Sequence, residues 1–146
     1  MCIREMELQA YFQMIGTSTP AQSIALKTIH KKKANSDLDI PIPRGSGDEE
    51  YLSKLAQCLN ELDRINFAPD LVIYDAAVDV HKNDKLGLLK MTSGGIYQRD
   101  KIVLSHFKDR QVPVATTIGG GYGETHEEVA QRHSIIFAAV KSVFQS

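Results

Sequence analysis

The stretch that most constrains this chain is residues 69–87, PDLVIYDAAVDVHKNDKLG. It opens on the apolar run Leu71-Val72-Ile73-Tyr74 and within a few residues becomes a cluster of acids with one histidine: Asp75, Asp79, His81 and Asp84. A β-branched run of this length that ends in polar residues predicts a buried parallel strand delivering side chains to a site at its carboxyl end. The flanking sequence reads as packing and framing for that strand.

Before it, residues 49–66 carry Leu52, Leu55, Ala56, Leu59 and Leu62 at spacings of three and four, one apolar stripe of a helix led by Asp48, Glu49 and Glu50. After it, residues 93–110 predict a second helix, capped by Thr92 or Ser93, with Ile96, Val103, Leu104 and Phe107 on its buried side. Residues 111–118 (QVPVATTI) predict a second buried strand, and 125–144 a last helix opened by Thr125 and Glu128 and carrying Val129, Ile136, Phe137, Val140 and Phe144. Upstream, 23–29 (SIALKTI) reads as a short strand, 30–33 and 35–39 as solvated loop, and Pro41-Ile42-Pro43 as extended chain. Residues 6–15 fit a short helix or an edge strand alike. Strands alternating with helices give an α/β class, a parallel sheet with helices on both faces.

A chain of 146 residues is one domain by size. A net charge of −1 with interspersed signs argues against nucleic-acid binding, which needs a basic face. Cys2 and Cys58 do not make a metal spacing; Cys58, inside a helical pattern, reads as a small buried thiol. There is no apolar run near the roughly 18 residues of a membrane helix, and the start MCIREMELQ lacks the apolar core of a signal peptide, so no membrane role and a cytoplasmic location are expected.

Two strands end unusually, one in acids and the other in Gly119-Gly120-Gly121-Tyr122. Three glycines in a row are costly in chain entropy, which suggests backbone passing close to something. A tyrosine presented there can hydrogen-bond a developing oxyanion. A tight strand-to-helix turn with Tyr122 packed on it fits the same residues equally well.

Residues from about 36 to 144 resemble the carboxyl-terminal half of the histone deacetylase family, especially its bacterial, acetylpolyamine-amidohydrolase and acetoin-utilisation types. The resemblance is carried by SDLDIPIPRGSGDEEYL (36–52), PDLVIYDAAVDVHKNDKLG (69–87), MTSGGIYQRD (91–100) and VPVATTIGGGY (112–122), in the family's order. It extends weakly to 23–29 and His30, so residues 23–146 are expected to form the carboxyl-terminal half of a deacetylase-like domain, with 1–22 unassigned. It implies part of an arginase/deacetylase fold and a zinc-dependent amidohydrolase acting on acetyl-lysine or acetylated amines. On this resemblance Asp79 matches the family's last zinc ligand and Tyr122 the oxyanion tyrosine. Gly120 and Gly121, in the glycine run that begins at Gly119, border the substrate.

The rest of the family's machinery has no counterpart in the sequence. No two of His30, His81, His106, His126 and His133 are adjacent, so the tandem histidines are absent. The one Asp-x-His, Asp79-Val80-His81, runs on into KNDKLG rather than Gly-Asn-Gly, which fits the later ligand position and puts His81 at the rim of the site. A catalytic zinc takes three protein ligands. With one assigned, zinc is expected to be absent or weakly held by this chain alone unless His30 or His81 is recruited. His106, His126 and His133 read as solvated or packing residues, Asp75 as a structural acceptor, Asp84 as a turn residue, and Asp37 and Asp39 as a loop flanking the site mouth.

Three readings follow. The chain is an incomplete deacetylase-family member inactive alone, half of a split enzyme completed by a companion chain, or a non-catalytic binding or assembly module. A sheet lacking neighbours would expose an edge strand, which invites a companion chain or a second copy to form an oligomer.

Overall fold

A computed structural model describes residues 8–15, 22–28, 38–64 and 69–145. The strands are β1 (Leu8–Ile15), β2 (Gln22–Thr28), β3 (Leu38–Ile42), β4 (Leu71–Asp75) and β5 (Val114–Thr117). The helices are α1 (Asp48–Arg64), α2 (Ser93–Asp109), α3 (His126–His133) and α4 (Ile135–Phe144). They build an α/β domain around one five-stranded sheet of order β3-β2-β1-β4-β5. β2 and β3 are parallel, as are β4 and β5, while β1 is antiparallel to both of its neighbours. Four strands therefore point the same way and β1 alone is reversed. The loops after β3, β4 and β5 consequently emerge at one end of the sheet, where an α/β sheet places its functional loops.

β1 resolves the two alternatives for residues 6–15: it is a strand, and it lies inside the sheet rather than at its edge, because β2 and β4 pair with its two sides. β3 takes in Leu38 and Asp39, which the sequence assigns to loop. It tolerates Pro41 because it is an outer strand whose only described partner is β2. His30 and Asp37 lie outside the described residues.

In β4 the alternation is plain, Val72 and Tyr74 buried and Leu71, Ile73 and Asp75 only half-buried. With Ile40 and Ile42 of β3, the Val72/Tyr74 side joins the buried residues of α1, α2 and α4 in one core. α1 turns its stripe toward Tyr51, Leu55, Cys58, Leu59 and Leu62, leaving Ala56 exposed. Burial pushes the Cys58 thiol up to about 12, so it stays protonated and inert at neutral pH.

Two expectations are corrected. β5 is not a buried strand: its residues run from half-buried Val114 to exposed Ala115, Thr116 and Thr117, and Ile118 beyond it is 60% exposed. It is an outer strand whose described partner is β4 alone. The last helix is also two, divided at Ser134, whose hydroxyl donates to the Gln131 carbonyl. Its core side is Ile136, Ala139 and Val143, and Phe137 and Phe144 face outward, Phe137 at 69% exposure. The helix starts agree with the sequence: Thr92 caps α2 by accepting the Gly95 N–H, and Thr125 caps α3 by accepting the Glu128 N–H.

Candidate functional site

Beneath the carboxyl end of β4 lies a buried polar network on α2. Arg99 and Asp100 are fully buried on the same side as Ile96 and Val103. Arg99 Nη1 donates to the Ala77 carbonyl at 2.7 Å and Nε to Asp100 Oδ1 at 2.9 Å. Nη2 lies 2.9 Å from the same oxygen, in ion-pair contact but without hydrogen-bond geometry. The Tyr74 hydroxyl donates to Asp100 Oδ1 at 2.6 Å, and burial holds its phenol well above the usual range. This network ties the end of β4 to α2 and sets the floor on which residues 76–87 turn.

Above the floor the acid loop and the glycine loop interlock. The Val78 N–H donates to the Gly119 carbonyl at 3.1 Å. Gly119 packs on the Asp75 carboxylate so closely that a Cβ there would sit 2.6 Å from Asp75 Oδ1. Gly120, at φ +61°, lies against Asp79, where a Cβ would stand 2.8 Å from Cγ, and Gly121, at φ +107°, lies against Val78 and Val129. The triplet therefore has two reasons for being glycine: left-handed backbone at two positions and close approach to side chains at all three.

Asp79 is the most perturbed acid of the loop. Its Oδ1 is buried and has no hydrogen-bond partner among the described residues. Burial first, and then the negative charge of Asp84, push its carboxyl up from 3.8 to about 7. Asp75 is raised in the same direction by burial, against the Thr117 hydroxyl that donates to it.

His81 is buried, and its Nδ1 accepts the Asn83 N–H at 3.2 Å. That bond makes Nε2 the protonated nitrogen of the neutral ring, and Nε2 lies 3.3 Å from Ser93 Oγ. Burial, and then Arg132, lower its pKa. Both nitrogens are thus engaged within the loop and the start of α2.

Asp84 does more than close a turn. Oδ1 accepts the N–H groups of Leu86 and Gly87 at 2.9 and 2.7 Å, and Oδ2 accepts the Tyr122 N–H at 2.6 Å. Tyr122 is 51% exposed. His133 Nε2 is 3.1 Å from the Gly120 carbonyl, to which it donates, while its buried Nδ1 has no hydrogen-bond partner among the described residues. The structure thus brings Asp79, Gly120, Gly121 and the Tyr122 backbone together. It adds Asp84, Arg99 and His133, to which sequence reasoning gave no site role. Asp39 lies on β3, His106 packs edge-on against Phe107 beside Asp63, and His126 begins α3.

The unpartnered Asp79 Oδ1 suits a cation, but the surrounding donors do not complete a zinc site. Both His81 nitrogens and both Asp84 oxygens are already engaged. Among the described residues no three of His, Cys, Asp and Glu stand close enough to share an ion. Nor, among them, is any helix long and apolar enough to cross a membrane.

The raised Asp79 carboxyl makes a prediction. Because its folded value exceeds the unfolded one, the folded state holds the extra proton between about pH 4 and pH 7, and stability falls as pH rises through that window. About three pKa units correspond to about 4 kcal/mol, and partial access of water reduces this to about 2 kcal/mol. Asp79→Asn is expected to be more stable than the parent by about that amount at pH 8, with the gap closing at pH 4, in urea titrations at the two pH values. An equal gap at both would refute the buried-acid assignment.

An α/β domain with acids after one strand and a glycine-tyrosine loop after its parallel neighbour defines a class of proteins with a site at the carboxyl end of the sheet. The sequence profile of the histone deacetylase domain matches residues 11–139, and the chain belongs to that family. An uncharacterised protein of Picosynechococcus sp. is 43% identical over 113 residues, 77% of this chain and 37% of that protein. Histone deacetylase 2 of Arabidopsis thaliana is 37% identical over 93 residues, 64% of this chain and 24% of that protein. Among solved structures, acetylpolyamine aminohydrolase from Burkholderia pseudomallei aligns with a TM-score of 0.59 at 23% identity, covering 72% of this chain and 28% of that one, a likeness of fold. The chain thus spans between about a quarter and two fifths of the length of these relatives.

Proposed function

We propose that this chain carries one wall of a site that hydrolyses acetylated amines, acetyl-lysine or acetylpolyamine, and that it does not turn such substrates over by itself. The observation that carries this reading is the half-buried Asp79 carboxylate lying under Gly120, two residues before Tyr122, with its buried Oδ1 taking no hydrogen bond among the described residues. In it Asp79 is a metal ligand of a zinc hydrolase of this family, Gly120 and Gly121 let the loop pass close against Asp79 and Val78 and border the substrate, and Tyr122 supplies the oxyanion hydrogen bond. The tandem histidines that would move protons have no counterpart in the sequence. Loss of one member of such a unit costs orders of magnitude in rate.

The exposed outer strand β5, continuous with the glycine loop, favours association as part of this reading, with a companion chain that supplies the missing groups or with a second copy. The test is to purify the chain and assay metal content and turnover of an acetyl-lysine peptide and an acetylated polyamine. The expected result is well under one equivalent of zinc and no turnover above background. One equivalent of tightly held zinc that disappears in Asp79→Ala, or turnover by the chain alone, would overturn it. A monomer by light scattering at high concentration would remove self-association.

A further inference from the structure

The backbone of Tyr122 is held at both its N–H and its carbonyl. Its N–H donates to Asp84 Oδ2 at 2.6 Å. Its carbonyl accepts from Arg132 Nη1 and from the Lys85 N–H, each at 3.3 Å. Asp84 and Arg132 are 8% and 5% exposed, yet the Tyr122 residue between them is half open to solvent. Two glycines in left-handed conformations precede it, at φ +61° and +107°, so the chain leading into Tyr122 imposes little direction of its own. Direction has to come from outside the glycine loop. A carboxylate accepting a backbone N–H is a strong, charge-assisted bond that can supply it.

We propose that Asp84 is a positioning residue for Tyr122, locking the loop that presents the tyrosine to the loop that carries Asp79, so that phenol and acid move as one unit. The proposal rests on reading Tyr122 as the group that meets the substrate carbonyl. Asp84 itself touches neither substrate nor metal in this scheme. Its two oxygens divide the work: Oδ1 closes the turn onto Leu86 and Gly87, and Oδ2 reaches across to Tyr122.

That division permits a selective test with Asp84→Asn. The single amide oxygen keeps two bonds by staying on Leu86 and Gly87, which turns the NH₂ group toward the Tyr122 N–H, donor facing donor. By amide hydrogen exchange on the folded chain, Tyr122 is expected to exchange about tenfold faster in Asp84→Asn, with Leu86 and Gly87 within about twofold of the parent. The ring resonances of Tyr122 in ¹³C-tyrosine-labelled protein, assigned with Tyr122→Phe, should shift while those of Tyr51 and Tyr74 stay in place.

Unchanged Tyr122 exchange and ring shifts would overturn the proposal. So would faster exchange shared equally by Leu86 and Gly87, the mark of a loosened loop. Should Asp84→Asn fail to fold, the parent chain decides. Its Tyr122 amide must exchange at least about tenfold more slowly than an unstructured amide, and an unprotected amide there refutes the clamp. None of these readouts involves metal or turnover, so they stand or fall separately from the hydrolase reading.

Discussion

Arg99→Ala is expected to destabilise the chain by about 3–5 kcal/mol, more than any other truncation in the network beneath the acid loop. The guanidinium is fully buried and satisfies the Asp100 carboxylate and the Ala77 carbonyl. Its removal strands a buried negative charge that keeps the Tyr74 hydroxyl bond but loses its cation, and it leaves a cavity between α2 and the end of β4. The same change removes a positive charge that lowers the Asp79 pKa, so the acid loop loses both its floor and part of its electrostatic support. Since the chain has no tryptophan, urea unfolding followed by far-UV circular dichroism is the natural measurement. A loss below about 1 kcal/mol would mean that water or rearrangement takes over the role of the guanidinium.

Gly87→Ala is expected to cost about 3 kcal/mol or more. A Cβ at this position would lie 1.8 Å from the Asp79 carbonyl oxygen and 3.0 Å from its carbonyl carbon. Both neighbours are backbone, so no side-chain rotation relieves the overlap. The Gly87 N–H is also held by Asp84 Oδ1 at 2.7 Å, and any shift of residue 87 breaks that turn. Gly47→Ala is the control: its nearest neighbour to an added Cβ is the Lys90 carbonyl oxygen at 3.9 Å, and the change should stay within about 1 kcal/mol by the same urea titration. Equal losses at the two positions would refute the steric account.

Most of the helix and strand order was legible because the apolar periodicity in 49–64, 71–75 and 93–109 is strong and local. The acids after β4 and the glycines after β5 pointed to the end of the sheet where the structure brings them together. β1 was not legible, since MELQAYFQMI carries no periodicity that separates strand from helix; backbone partners far along the chain decide it. QVPVATTI is apolar enough to predict a covered β5, whereas the strand's exposure depends on what pairs with its outer side. Arg99 and Asp100 gave a signal that was missed: two opposite charges standing on the apolar stripe between Ile96 and Val103 mark a buried pair. Asp84 resembled an ordinary turn residue because the Tyr122 amide it holds lies 38 positions away.

The reversed strand affects how the chain leaves the ribosome. β1 and β2 can join as a hairpin once their own residues have emerged, but the opposite side of β1 waits for β4, with Tyr11 facing Asp75 and Ile15 facing Leu71. Until β4 is made, that side lacks the partner it has in the folded sheet, and its closure carries the entropic cost of a long loop. The ladder that seats the Asp75 strand is therefore among the last to form in the nascent chain, and slow translation between β2 and β4 would prolong exposure to mispairing.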